Sequence, residues 1–156
     1  MCDRDPAAAP RIVSGGQTGV DRAALDVALA RGLACGGWCP RGRGAEDGPI
    51  SDRYPLRETP GEDPTERTRW NVRDSDATLI LARAPLRGGT ALARAHAMAL
   101  GRPHLVVDLR DPPRADVVRA WLRALPVRAL HVAGPRESES PGIYAAARAF
   151  LETVLA

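Results

Sequence analysis

Apolar positions along this chain come in two textures. Short continuous runs occur at Arg11–Ser14, Leu33–Trp38, Ala77–Ala82, His104–Leu109 and Arg128–Gly134, and each reads as a buried strand. Between them apolar residues recur every three or four positions, the spacing of a helix with one buried face. A first helix runs from about Val20 to Arg31 with Ala24, Leu25, Ala28 and Leu29 on one face, and Gly32 stops it. Asp63, Pro64 and Glu66 supply a cap, a first-turn proline and an acid three residues after the cap, so a second helix is predicted to about Arg73. An alanine-rich helix ends at Gly101, and another opens at Asp111 and the two prolines after it, with Val117, Val118, Trp121, Leu122 and Leu125 as its apolar face. Ser140 and Pro141 are expected to cap the last helix, whose inward residues are Ile143, Ala147, Phe150, Leu151 and Val154.

Strands that alternate with helices imply an α/β fold: three layers, doubly wound, around a mostly parallel sheet of about five strands. Residues 1–10 read as a loose tail and 11–156 as a single domain without internal repeats. The stretch from Pro40 to Asp63 has no clear period and is dense in proline, glycine and charge. It is expected to be a long loop with one short strand around Tyr54–Glu58, and loops of that length are usually functional or mobile.

Composition removes several kinds of chemistry. Every one of the 22 basic residues is Arg, so a P-loop lysine, a Schiff base and a lysine general base are all excluded. A net charge of +3, well mixed along the chain, with no basic run interleaved with aromatics, argues against nucleic acid as a partner. No apolar run approaches the length that spans a membrane. Three cysteines, Cys2, Cys35 and Cys39, form no disulfide framework, which fits a cytoplasmic protein. Cys35 and Cys39 are expected on one face of a strand as small buried apolar groups rather than metal ligands. His96, His104 and His131 have no partner at catalytic spacing, so neither a metal nor a catalytic centre is assigned.

Three segments follow strands and lead into helices: Gly15-Gly16-Gln17-Thr18-Gly19, Arg87-Gly88-Gly89-Thr90, and the stretch from Gly134 to Gly142. In a parallel sheet all three lie on one rim, beyond the carboxyl ends of the strands. Glycines let an anion approach the backbone, and free N–H groups at a helix start attract it. The spacing is not that of a dinucleotide fingerprint, and Trp38, Cys39, Pro40 and Arg41 put no acid after the second strand to hold a ribose. A single phosphate or a nucleotide-sized monoester suits the pattern better.

Six segments, SGGQTGVDRAALDVAL, GWCPRGRGAEDGPI, YPLRET, TRWNVRDSDATLIL, GGTALA and AGPRESESPGIY, occur in that order over nearly the whole chain. Together they resemble the molybdenum-cofactor carrier family, a Rossmann-like branch of the lysine-decarboxylase-like nucleotide-binding group. The resemblance implies a protein that binds the molybdenum cofactor (molybdopterin) without turning it over, that forms homo-oligomers, and that hands its cargo to molybdoenzyme recipients. The phosphoribohydrolases of the wider group resemble one another in P-G-G-x-G-T-x-x-E, whose Glu is taken as catalytic. Here Gly88, Gly89 and Thr90 adjoin and Ala-Leu-Ala-Arg-Ala-His follows, so that Glu has no counterpart. Two alternatives remain: a nucleotide or sugar-phosphate hydrolase using Glu46 and Asp47 of the long loop, and a binder of molybdate or tungstate alone.

The residues expected to hold the ligand are Gly15, Gly16, Gln17, Thr18 and Gly19 in the first loop, Gly88, Gly89 and Thr90 in the second, and Arg136 in the third. Gln17 and Thr18 would donate to phosphate oxygens, and Arg136 offers a planar guanidinium to an oxyanion. Arg41 and Arg43 would reach an oxyanion from the long loop. Trp38, at a strand end on the rim, would pack against a flat pterin, because charge-assisted hydrogen bonds of about 1.5–3 kcal/mol each must be supplemented to reach micromolar affinity. Trp70 is expected in the core. Asp21 reads as a first-turn acid that steadies the helix dipole, and Asn71, Ser75 and Asp76 as structural caps.

Overall fold

A computed structural model describes residues 9–125 and 127–155. The tail expected over 1–10 therefore lies outside the described residues except for Ala9 and Pro10. Among the described residues nine strands and five helices follow in the order β1 (Arg11–Val13), α1 (Val20–Ala30), β2 (Cys35–Gly36), β3 (Trp38–Cys39), β4 (Gly44–Ala45), β5 (Gly48–Pro49), β6 (Arg57–Glu58), α2 (Pro64–Arg73), β7 (Ala77–Ala82), α3 (Gly88–Ala99), β8 (His104–Asp108), α4 (Ala115–Ala124), β9 (Ala129–Ala133) and α5 (Ile143–Val154). Five of the strands make a parallel sheet ordered β2-β1-β9-β7-β8. The α/β class, the parallel sheet and the strand number are those expected from the pattern.

The sheet is covered on both faces, which explains why β7 is apolar at almost every position and buried throughout. On one face Leu79, Leu81, Leu130, Val132 and Ile12 pack with Val20, Ala24, Val27 and Ala28 of α1 and Ile143, Ala147 and Leu151 of α5. On the other, Ile80 and Ala133 pack with Val72 of α2 and Ala93 and Ala97 of α3. Alanines bring these helices close to the strands, so a core with a single phenylalanine closes without large side chains.

Several local expectations are corrected. Leu29 is exposed, because the buried face of α1 turns through Ala23 and Val27 to meet α5. Only Val118 of the α4 face is fully buried, and Val117 points to solvent. That helix begins at Ala115 rather than at Asp111, with Arg114 as its N-cap. The N-cap of α5 is Gly142, in the left-handed region at φ 87°. The carboxylate of Glu137, not Ser140, accepts from the N–H groups of Gly142 and Tyr144.

The largest difference lies between Leu33 and Asp63. The second strand breaks at Gly37 (φ 134°), where an added Cβ would stand 2.3 Å from the Ser14 carbonyl oxygen. Beyond that break the chain leaves the main sheet. β3 pairs in parallel with β6, and β4 and β5 form an antiparallel hairpin. Cys35 and Cys39 thus belong to different sheets, both with free thiols that pack against apolar neighbours. Burial is the largest influence on each thiol and raises it above the ordinary range.

Inside this segment Arg43 (φ 55°) donates to the carbonyls of Ile50 (3.2 Å), Leu56 (3.2 Å), Ser51 (2.8 Å) and Tyr54 (3.0 Å). One guanidinium replaces the ladder that the sequence lacks. Ile50, Tyr54 and Leu56 then pack on Leu25, and the hydroxyls of Tyr54 and Tyr144 both donate to Asp26, tying the segment to α1 and α5. Burial, then the Asp26 carboxylate, push the Tyr54 hydroxyl up to about 12.

Candidate functional site

A cavity of about 290 Å³ opens beyond the carboxyl ends of β1 and β9. Its position follows from topology. If β9 is counted first, then β1, β2, β7 and β8 become second to fifth, and the sheet reads 3-2-1-4-5. That is the order of the doubly wound nucleotide-binding folds, in which ligands sit where the winding reverses. The reversal here falls between β9 and β7, and His131, Ala133 and Gly134 of the β9 end line the cavity together with Gly89 and Thr90 beyond β7.

All three glycine-bearing loops reach this cavity: Gly15 and Gln17 from the first, Gly89 and Thr90 from the second, Gly134, Arg136 and Glu139 from the third. The start of α2 is a fourth wall, with Asp63, Pro64, Thr65, Arg67 and Thr68. The sequence does not reveal this wall, because a capped helix start is local structure and carries no sign of which rim it faces. The strongest available signal was an arginine one turn inside a helix that otherwise opens on Asp and Pro.

The helix starts differ in how their N–H groups are used. At α1, Gly16 N–H donates to Ser14 Oγ (3.2 Å), Gln17 N–H to Asp21 Oδ2 (3.3 Å), Thr18 N–H to Gln17 Oε1 (3.0 Å) and Val20 N–H to the Pro135 carbonyl (3.3 Å). At α2, Thr65 N–H donates to Asp63 Oδ1 at 2.9 Å, as the sequence predicts, while Glu66 accepts from Gly61 N–H at 3.0 Å. At α3 the N-cap Arg87 offers no side-chain cap, and the N–H groups of Gly88 and Gly89 meet no acceptor among the described residues. The first two starts are closed from within the protein; the third is open.

Electrostatics on the cavity wall are mixed. Burial pushes the Asp21 carboxyl up to about 6, against the opposing pull of Arg67, the Gln17 N–H and Arg22. Burial, assisted by Arg67, drives His131 down to about 3, so its ring is neutral. Arg136 pairs with Glu139 (3.2 Å) and Glu46 (3.4 Å). Glu46 crosses from the β4–β5 hairpin and accepts from the Thr18 hydroxyl and from the N–H (3.1 Å) and hydroxyl (2.5 Å) of Ser138. Hydrogen bonds from Ser138 and Thr18 hold Glu46 below the usual carboxylate range. Glu46 thereby latches the first glycine loop to the third. Asp47 pairs with Arg22 at 2.9 Å, which lowers it as well.

Residues 12–155 match the circularly permutated YpsA SLOG family. The chain belongs to that family. The permutation in its description agrees with the strand order, in which the last β-α unit occupies the place of a first one. Among solved structures, the chain is similar to the "putative molybdenum carrier protein" from Syntrophus aciditrophicus SB, with 42% identity over 96% of each chain and a TM-score of 0.92. No curated protein matches the chain.

In this SLOG chain, five of the residues expected from sequence line the cavity: Gly15, Gln17, Gly89, Thr90 and Arg136. Gly16, Thr18, Gly19 and Gly88 adjoin it without lining it. A Cβ on Gly16 would meet Leu56 Cδ1 at 2.5 Å, and one on Gly19 would meet the Pro135 carbonyl at 2.3 Å, so both glycines make room for protein. Trp38, Arg41 and Arg43 lie away from the cavity. The Trp38 indole donates to Asp74 Oδ2 (2.8 Å) at the far end of α2, edge-on to Trp70 with ring centres 4.8 Å apart. Its backbone is gripped by the buried Asn71 amide, because the break at Gly37 carries β3 along the flank of α2. Trp70 is half-buried in that pair rather than in the core. Arg41 pairs with Glu62 at 3.4 Å in an exposed contact, and Arg43 is committed to four carbonyls. Asp76 caps the amino end of β9 through the N–H groups of Arg128 and Ala129, away from the cavity. Among the described residues no three His, Cys, Asp or Glu side chains come together as a metal site, and no helix is long and apolar enough to cross a membrane.

Proposed function

We propose that this chain is a non-catalytic binding or carrier protein for a small phosphorylated ligand, the molybdenum cofactor or a related phosphorylated pterin, with molybdoenzymes as recipients and a homo-oligomer in the cytoplasm as the working form. The observation that carries the reading is the convergence of three glycine-bearing loops and an uncapped helix start on one cavity at the winding reversal. Open N–H groups and the Arg67 guanidinium suit an anionic moiety, while Arg136 on the same wall is paired with Glu139 and Glu46. The cavity lies at the small end of ligand pockets, so it suits an anionic head group, with the remainder of the ligand lying over the rim. The solved structure to which the chain is similar carries a molybdenum-carrier name, which favours this ligand class over others. Glu46 and Asp47 support a binding role, since both are engaged in holding loops.

Native mass spectrometry of protein purified without oxygen, followed by organic release of any bound molecule, tests the reading. A phosphorylated pterin is the expected result, and a ligand that carries no oxyanion would overturn it. A second reading, hydrolysis of a nucleotide or sugar-phosphate bond, rests on Asp21, a cavity carboxyl whose proton affinity burial has raised toward neutrality. Release of free base from a nucleotide panel, abolished by Asp21→Asn, would establish that reading in place of the first.

A further inference from the structure

Asp21, Asp63 and Glu139 line the cavity, and Glu46 latches its rim. Three of these acids are committed. Asp63 accepts from the N–H and the hydroxyl of Thr65, Glu139 pairs with Arg136, and Glu46 bridges Thr18, Ser138 and Arg136. Asp21 differs. Its Oδ2 accepts one N–H, from Gln17 at 3.3 Å, and among the described residues its Oδ1 has no hydrogen-bond partner and the side chain no ion pair. Ser75 Oγ is the only enclosed side-chain atom without a partner among the described residues, so Asp21 Oδ1 opens onto the cavity that its residue lines. An added Cβ on Gly15 would stand 2.8 Å from Arg67 Nη1 and 3.0 Å from Asp21 Oδ2, so the guanidinium and the carboxyl close over the same glycine. Arg67, Thr90 and His131, each at least nine-tenths buried, supply donors to the rest of that wall. Several donors beside one uncommitted carboxyl are complementary to an anion that carries a proton of its own.

We propose that Asp21 selects the ligand by its proton: the uncommitted carboxylate oxygen accepts the P–O–H of a hydrogen phosphate or a phosphomonoester monoanion in the cavity, and rejects an oxyanion of like charge and shape that has no proton, such as sulfate. The selection rests on the reading that the cavity holds a phosphorylated ligand. Two anionic oxygens with no proton between them repel strongly where water is largely excluded, whereas one shared proton turns the pair into a short charge-assisted hydrogen bond. A site built to make one such bond discriminates steeply against an analogue that lacks it, because its polar group is then left unpaired. A phosphomonoester loses its second proton near about pH 6, so at neutral pH it binds with uptake of one proton. The charged groups around Asp21 set the pH range of the selection. Burial raises the carboxyl to about 6, against Arg67 from α2, the Gln17 N–H and Arg22 from the next position of α1. Between about pH 5 and 8 the His131 ring stays neutral and Asp63 and Glu46 stay ionised, while Arg22 is paired with Asp47 and Arg136 with Glu139. As pH falls through that range Asp21 gains a proton and becomes a donor itself, so the rejection of sulfate is full above it and lost below it.

Calorimetric titration of the full chain with inorganic phosphate and with sulfate tests the selection. At about pH 8 both ions are mainly dianions of similar size, and phosphate alone carries a proton, so it is expected to bind more than about a hundredfold tighter than sulfate. At about pH 5 the protonated Asp21 donates to sulfate, and the preference is expected to fall to about tenfold or less. Asp21→Asn supplies an amide that donates to either ion, so it should gain affinity for sulfate and bring the two ions within about threefold at pH 8. A gain of sulfate binding is not what a merely structural role for Asp21 would produce. Asp116→Asn removes the same charge from the exposed start of α4 and should leave the preference within about twofold of the native value. Equal affinities at pH 8 in the native protein, no phosphate binding, or a preference that survives Asp21→Asn would each overturn the selection. If the molecule released from native protein is a phosphomonoester while the two ions bind equally, the selection falls and the carrier reading stands. A released ligand without a phosphate, with the preference for phosphate intact, removes the carrier reading and leaves the selection standing.

Discussion

Two glycine-rich loops face one cavity, and their glycines answer different needs. In the first loop Gly16 (φ 78°) and Gly19 (φ 77°) sit in the left-handed region, and a Cβ at either would press on Leu56 or on the Pro135 backbone. Its N–H groups at Gly16, Gln17, Thr18 and Val20 are taken up by neighbouring protein atoms. In the second loop Gly88 also has a positive φ (49°), but a Cβ there would meet nothing within 4 Å and one on Gly89 only Thr68 Oγ1 at 4.0 Å, and their N–H groups are unbonded among the described residues. A glycine motif alone does not distinguish a loop that admits a ligand from one that admits another part of the chain. What fills the volume where a side chain would be distinguishes them.

Substitutions should separate the loops sharply. Gly19→Val combines an unfavourable φ with a clash against fixed backbone, so a loss of about 3 kcal/mol or more is expected, seen as a large drop in urea midpoint. A Gly19→Val protein as stable as wild type would break the contrast. Gly89→Ala, by comparison, is expected to leave stability unchanged or to raise it by up to about 1 kcal/mol, since alanine favours a helix more than glycine does, while weakening phosphate binding. Unchanged binding in a folded Gly89→Ala protein would remove the second loop from the site.

The cavity wall should also announce itself through pH. Asp21 is raised from its ordinary 3.8 to about 6, so the folded state holds its proton longer than the unfolded chain, and its contribution to stability falls as pH rises through that window. His131 is lowered from 6.5 to about 3, so the unfolded chain holds the extra proton, and its contribution rises with pH between those values. The two slopes oppose each other in the native protein. Asp21→Asn should stabilise the protein at pH 7 by about 1–2 kcal/mol, after allowance for screening by cavity water, and should leave stability climbing steeply from pH 4 to 6.5. His131→Asn should leave the opposite slope. Urea unfolding across that range checks both, and parallel profiles for the two variants would contradict the assigned burial. A smaller effect is expected at the latch: Glu46→Gln should mainly raise hydrogen exchange in the first and third loops, with little change in global stability.

Much of the architecture was legible in the chain itself. The strand Ala77–Ala82 and the core face of the last helix agree residue for residue, because a run buried on both faces and a strict helical period have few alternative explanations. The rim loops were legible for the same reason: alternation fixes a parallel sheet, and a parallel sheet fixes which ends share a rim. The 40–63 segment was not legible. Its order comes from Arg43 bonding four carbonyls and from two tyrosines meeting Asp26, contacts that leave no period in the sequence. Trp38 was expected on the rim because the break at Gly37 cannot be seen without the neighbouring Ser14 backbone. That Arg67 and His131 line the cavity leaves no trace in the sequence, because neither residue type is unusual where it stands.

The sequence by itself determined the α/β class, the alternation, the absence of lysine chemistry and the candidate loops, since each depends on composition or on a local period. Tertiary structure decided which loop start stays open and which arginines are engaged by carbonyls or carboxylates. Those are properties of space and electrostatics between residues distant in the chain. Gly15 and Arg67 are in contact although 52 positions separate them, and no local pattern encodes that meeting.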